Sequence, residues 1–148
     1  MPVVVQEEPF DPGAELSRLV AGRRDTGAMV TFTGLVRDTG AGDLRHMEIE
    51  HYPGMTIRAI EGMVAHATER WTLGEAHVVH RYGRMAVGEA IMMVATAAPH
   101  RADAFAAAEF LMDYLKSRAP FWKKEVTDRG EGWVAARAED EAALGRWS

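Results

Sequence analysis

From Ala90 to Ala98 the chain reads AIMMVATAA, nine residues that are apolar but for one threonine. A strand with one wet face alternates polar and apolar side chains. This stretch does not alternate, so it is expected to be a central strand buried on both faces. Such a strand needs flanking strands and covering layers, and the rest of the chain must supply them. Pro99-His100-Arg101 ends the run and opens a segment that reads as a helix to about Ser117. With 148 residues, 47% hydrophobic and 26% charged, the chain has material for one such core without disulfides or metal staples.

The flanking elements can be read in order. Val3 to Gln6 is a short β-branched run. Asp11-Pro12 reads as the N-cap and first position of a helix expected to reach about Arg24. Ala28 to Val36 is strand-like, Arg37 to Asp43 a polar loop, and Leu44 to Tyr52 a further strand with Met47 and Ile49 on one face. Pro53-Gly54 leads into a helix from about Thr56 to Trp71, whose apolar stripe is Ile60, Met63, Val64, Ala67 and Trp71. Glu75 to Tyr82 is a strand that Gly83 turns. Phe121 to Val126 and Gly132 to Arg137 read as a final strand pair, followed by a polar helical tail. The fold class expected is α+β, a single mixed domain over residues 1–148.

A formal net charge of -5 argues against a general nucleic-acid or membrane-surface role. The chain has no cysteine, so a thiol nucleophile, a persulfide and a thiolate metal site are all excluded. The N-terminus carries no leader pattern, and no apolar run approaches the ~20 residues that span a bilayer. A cytoplasmic location is the expectation.

Of the 17 basic residues only three are lysines, and all three fall between Lys116 and Lys124. Surface charge alone would scatter lysines among the arginines. A lysine amine can lose its proton and act as base or nucleophile, which a guanidinium cannot. Lys116 follows Phe105 by 11 residues, which places the two within roughly 20° on a helix. On that reading Lys116 borders the apolar face, and desolvation lowers its pKa. His100 and Arg101 at a helix start suit an anion, because free N–H groups and the helix dipole point there. Arg37, at the end of another strand, is expected to reach the same place. Arg37, His100, Arg101, Lys116, Lys123 and Lys124 thus form a candidate basic pocket. Glu125 is either a surface ion-pair partner or a group that holds an amine in place. His77 and His80 are an odd number apart on a strand and cannot chelate together; no histidine spacing suggests a metal.

Seven segments resemble the large, catalytic subunit of molybdopterin synthase, in that family's order. They are FTGLVR (Phe32 to Arg37), EHYPGM (Glu50 to Met55), HRYG (His80 to Gly83), VGEA (Val87 to Ala90), PHRADAF (Pro99 to Phe105), MDYLKSRAPFWKKE (Met112 to Glu125) and GWVAAR (Gly132 to Arg137). The resemblance implies an α/β hammerhead-like fold with an added antiparallel β subdomain. It implies a sulfurtransferase that converts cyclic pyranopterin monophosphate into the dithiolene of molybdopterin. The sulfur would come from a small ubiquitin-like partner with a C-terminal thiocarboxylate, with no cofactor of the chain's own. Carried over by motif, Lys116 and Lys123 would be catalytic. Arg37, His100 and Arg101 would bind substrate phosphate or the partner's tail, Lys124 and Glu125 would line the pocket, and Arg137 would reach a neighbouring subunit's site. A homodimer core within a heterotetramer is implied.

Two other classes fit a basic pocket taken alone. A module that only holds a phosphorylated ligand would tolerate Lys116→Arg, since charge would suffice. A protein-interaction scaffold would bind an acidic tail tightly and form no product.

Overall fold

In the computed structural model, which describes residues 2–134 and 138–147, the apolar run is an interior strand of a four-stranded sheet. The elements of that sheet are β1 (Val3–Gln6), β2 (Ala28–Leu35), β4 (Glu75–Arg81) and β6 (Ala90–Ala98), in the order β1-β4-β6-β2. Only β1 and β4 run parallel; β6 is antiparallel to both its neighbours. Every residue of β6 after Ala90 is buried, as the lack of alternation requires.

One face of this sheet carries two helices, α2 (Met55–Arg70) and α3 (Arg101–Ser117). Ile60, Val64 and Ala67 of α2 meet Ala107, Ala108, Phe110 and Leu111 of α3 in a core shared with Val78 and Val94. The opposite face is held by α1 (Pro12–Val20), a helix with no fully buried residue. Asp11 caps it as expected, its Oδ1 accepting from Gly13 N at 2.9 Å and Ala14 N at 3.2 Å. The helix stops at Val20 and not near Arg24, because Ala21 leaves helical geometry and Gly22 turns at φ 73°.

A second four-stranded sheet has the order β5-β3-β7-β8, wholly antiparallel. Its strands are β3 (Leu44–His51), β5 (Gly83–Met85), β7 (Phe121–Thr127) and β8 (Gly130–Trp133). Gly83 does not simply turn the chain: at φ 91° it passes β4 directly into β5, which pairs with β3. The final hairpin is tighter than expected, with β8 starting at Gly130 and ending at Trp133. The tail is helical over α4 (Ala138–Ala143), then a single 3-10 turn at Leu144–Trp147 packs on α3. Trp147 donates its indole N–H to Asp113 at 2.6 Å and lies edge-on to Trp71 and Phe110. The two sheets meet where β4 ends, β6 begins and α3 ends.

Candidate active site

That junction gathers the unusual side chains. Lys116 stands in the last turn of α3, and β7 begins five residues beyond it. On β7, Phe121, Lys123 and Glu125 share one face, because strand side chains alternate. Phe121 lies opposite His51 of β3 and Lys123 opposite Ile49, which is 1% exposed. The face that carries Lys123 is therefore the inner one.

Burial is the main reason that the Lys123 amine is held down at about 8. The Lys116 ammonium lowers it further, and Asp140 of α4 acts in the opposite sense. This corrects the expectation that Lys116 is the desolvated lysine. Phe105, the marker for that helix face, is 61% exposed, and Lys116 itself is exposed. The helix buries Ala104, Ala107, Ala108, Phe110 and Leu111 instead.

Beneath the lysines lies His80 of β4, 4% exposed. Its ring stacks on Phe121 with centroids 3.7 Å apart and planes 14° from parallel. Its Nδ1 lies 2.8 Å from the carbonyl oxygen of Arg81. A carbonyl can only accept, so Nδ1 carries the proton and Nε2 is a bare acceptor. Burial, reinforced by Lys123, His51 and Lys116, drives the imidazole down to about 3 and outweighs the Arg81 carbonyl. The ring is neutral at any physiological pH. His51 is tilted against both Tyr82 (4.5 Å) and Phe121 (6.0 Å), with its Nδ1 3.1 Å from the Thr56 hydroxyl.

Lys124 points the other way. Its Nζ is 3.2 Å from Glu48 and 3.8 Å from Glu131, and it lies 5.6 Å from the centroid of the Trp133 ring. The Glu48 hydrogen bond raises its pKa, and the same bond holds Glu48 low. The structure thus separates Lys124 from Lys116 and Lys123, while Glu125 stays on the Lys123 face. Among the described residues, Arg37, Arg101, Lys116 and Lys123 form no ion pair, whereas Lys124 is engaged twice.

The six basic candidates do not converge within one chain. Leu35 pairs with Ala90 and Ala28 with Ala98, so Arg37 follows the end of β2 nearest the start of β6. This is the end at which His80, paired with Met92, meets the lysines. His100 and Arg101 stand at the far end of β6. Helix α3 then carries the chain back about 22 Å, at ~1.5 Å per residue, before reaching Lys116. The expectation that Arg37 and His100-Arg101 reach one place fails within a single chain for this reason. Arg137 lies outside the described residues.

Sequence reasoning passed over His80 and His51. The first was quoted within HRYG and weighed as a metal partner of His77, which faces the other way and meets Glu15 at 3.1 Å, but it was given no role. The available signal was a histidine on the same face as Ala76 and Val78, both buried.

Known proteins share this architecture. A family model described as MoaE protein matches residues 5–118. The molybdopterin synthase catalytic subunit of Cereibacter sphaeroides is 65% identical over 147 residues, covering 99% of this chain and all of the relative. The molybdopterin biosynthesis MoaE protein of Burkholderia ambifaria superposes with a TM-score of 0.83 at 49% identity, covering 100% of this chain and 99% of its own. Molybdopterin synthase from Staphylococcus aureus gives a TM-score of 0.83 at 29% identity, covering 91% of this chain and 98% of that one. The chain belongs to the MoaE family, that of the molybdopterin synthase catalytic subunits.

Proposed function

We propose that the chain, acting as one functional domain, is a sulfurtransferase that installs the dithiolene sulfurs of molybdopterin on cyclic pyranopterin monophosphate. The observation that carries this reading is the pairing of Lys116 and Lys123 at the sheet junction, with the Lys123 amine at about 8. A lysine so placed exchanges protons near neutral pH, as a general acid or base must. A chain without cysteine cannot store the sulfur itself. The sulfur then comes from outside the chain, and the resemblance to the family implies the donor: a small ubiquitin-like subunit with a C-terminal thiocarboxylate. The "catalytic subunit" in the relatives' names is consistent with a second, non-catalytic one.

In this reading the partner's tail enters beside the bound pterin, and its thiocarboxylate sulfur attacks a side-chain carbon of the substrate, displacing an oxygen group that leaves with a proton. Water then cleaves the resulting thioester, so that the sulfur stays on the pterin and the partner departs as a carboxylate. Lys116 and Arg37 offset negative charge that develops on the acyl oxygens, each contributing about 2–4 kcal/mol when well placed. Lys123 moves the proton. Glu125, two residues along the same face, orients the amine, and Lys124 acts from the outer face through Glu48. His100 and Arg101 serve a lysine pair only if a second copy brings its helix start there, which makes a homodimer, with a small subunit for each catalytic chain, the working assembly. Arg137, by its place in the GWVAAR motif alone, is assigned to a neighbouring copy's site.

The test is reconstitution of purified chain, thiocarboxylated small subunit and cyclic pterin, with dithiolene product assayed. Product is expected from the intact chain and lost in Lys116→Ala and Lys123→Ala, with both variants folded. Turnover at the parent rate in either variant overturns the assignment of that lysine, and binding without product would leave a scaffold.

A further inference from the structure

His80 is the most strongly perturbed described group that the proposed chemistry does not use. It belongs to β4, whereas the lysines belong to α3 and β7, and it is the piece of the first sheet that reaches into their junction. The Arg81 carbonyl fixes the rotation of its ring. Phe121 lies flat on that ring, and the next β7 residue on the same face is Lys123. Nε2 has no hydrogen-bond partner among the described residues. A histidine here supplies a combination that other residues lack. Phenylalanine would stack but could not be pinned by the carbonyl. Arginine or lysine would add a third charge beside two ammonium groups.

We propose that His80 is a positioning residue: its pinned, uncharged ring is the platform that holds Phe121, and through β7 the amine of Lys123, out of water beside Lys116. This rests on reading Lys123 as the acting lysine, but the platform can be measured without turnover. The groups that face Lys123 are Lys116 from α3, Asp140 from α4, and His80, with His51 of β3 behind them. Of these, His80 contributes burial and no charge. Removing its ring therefore readmits water without removing a charge, and the Lys123 amine must move back towards its ordinary value.

The experiment is competitive acylation of the full chain with acetic anhydride across pH, read at Lys123 by mass spectrometry of its peptide. The parent chain is expected to give a midpoint near 8. His80→Ala is expected to raise it by about one pH unit or more, a tenfold change in the ratio of free amine to ammonium. His80→Phe, which keeps the stack but loses the pin, is expected to raise it by less than His80→Ala does. Phe121→Leu removes the stack from the other side and must raise the midpoint too, which covers the case in which His80→Ala does not fold. Unmoved midpoints in folded His80→Ala and Phe121→Leu overturn the platform. A raised midpoint with unchanged turnover upholds it and overturns instead the reading of Lys123 as the acting lysine.

Discussion

Acidity at His80 has a second consequence, on stability. In the unfolded chain a histidine titrates near 6.5, and in this fold His80 titrates at about 3. Between those values the unfolded state binds more protons, so stability rises with pH across that window and is lost as pH falls through it. The depressed carboxylates Glu15, Glu48 and Glu89 start from 4.5 and Asp43 from 3.8, so their own loss comes at lower pH. Denaturant unfolding of the parent chain between pH 7 and 5 is therefore expected to weaken, and that of His80→Phe to weaken less. Equal slopes would mean that the imidazole is not buried neutral. Lys123 works with the opposite timing. Its charged form is disfavoured in the fold, and that cost fades only as pH rises from about 8 towards 10.5. Rarity made the lysines visible in the sequence, because three lysines among seventeen basic residues invite the question. His80 gave no such cue: a lone histidine in an apolar strand is usually core, and its tautomer depends on one carbonyl.

Among the elements, those with strong local patterns were readable and those defined by their neighbours were not. The unbroken run of β6, the capped start of α1 and the stripe of α2 follow from residue order alone. Strand β5 has three residues and exists because β3 is beside it. Alternation already required the adjacent Lys123 and Lys124 to diverge. Which of them turns inward depends on pairing with β3, including the irregularity between Leu44 and His46. The junction of β2 with the end of β6 offers a test at this scale. A Cβ on Gly27 would sit 2.3 Å from the carbonyl oxygen of Pro99, a backbone atom that cannot swing away. Gly27→Ala should therefore push β2 off the end of β6 and destabilise the chain by about 1–3 kcal/mol, measured by denaturant unfolding. An unchanged midpoint would show that this crossing is slack.

At the level of the whole molecule, the proposed site needs residues from more than one chain. Helix α3 acts as a strut that keeps Arg101 and Lys116 at opposite ends of the first sheet, and no small motion closes about 22 Å. The motif resemblance grouped these residues by role, while the fold shows that one copy cannot bring them together. Mixing is the corresponding test. Arg101→Ala and Lys116→Ala, each expected to be inactive alone, should recover dithiolene formation when unfolded and refolded together, since mixed dimers then hold one intact site. No recovery, with mixed dimers present, would place both residues in the service of the same copy.

The lysine doublet on β7 has one more implication, concerning alignment. Were β7 to slide by one position along β3, Lys124 would turn inward and Lys123 outward, and the inner face would still present an amine. At that position the error would be nearly silent, because the two side chains are identical. Phe121 could not follow, since the same slide would lift its ring off His80. The aromatic stack, and not the lysine it accompanies, is thus what tells the strand where to stop.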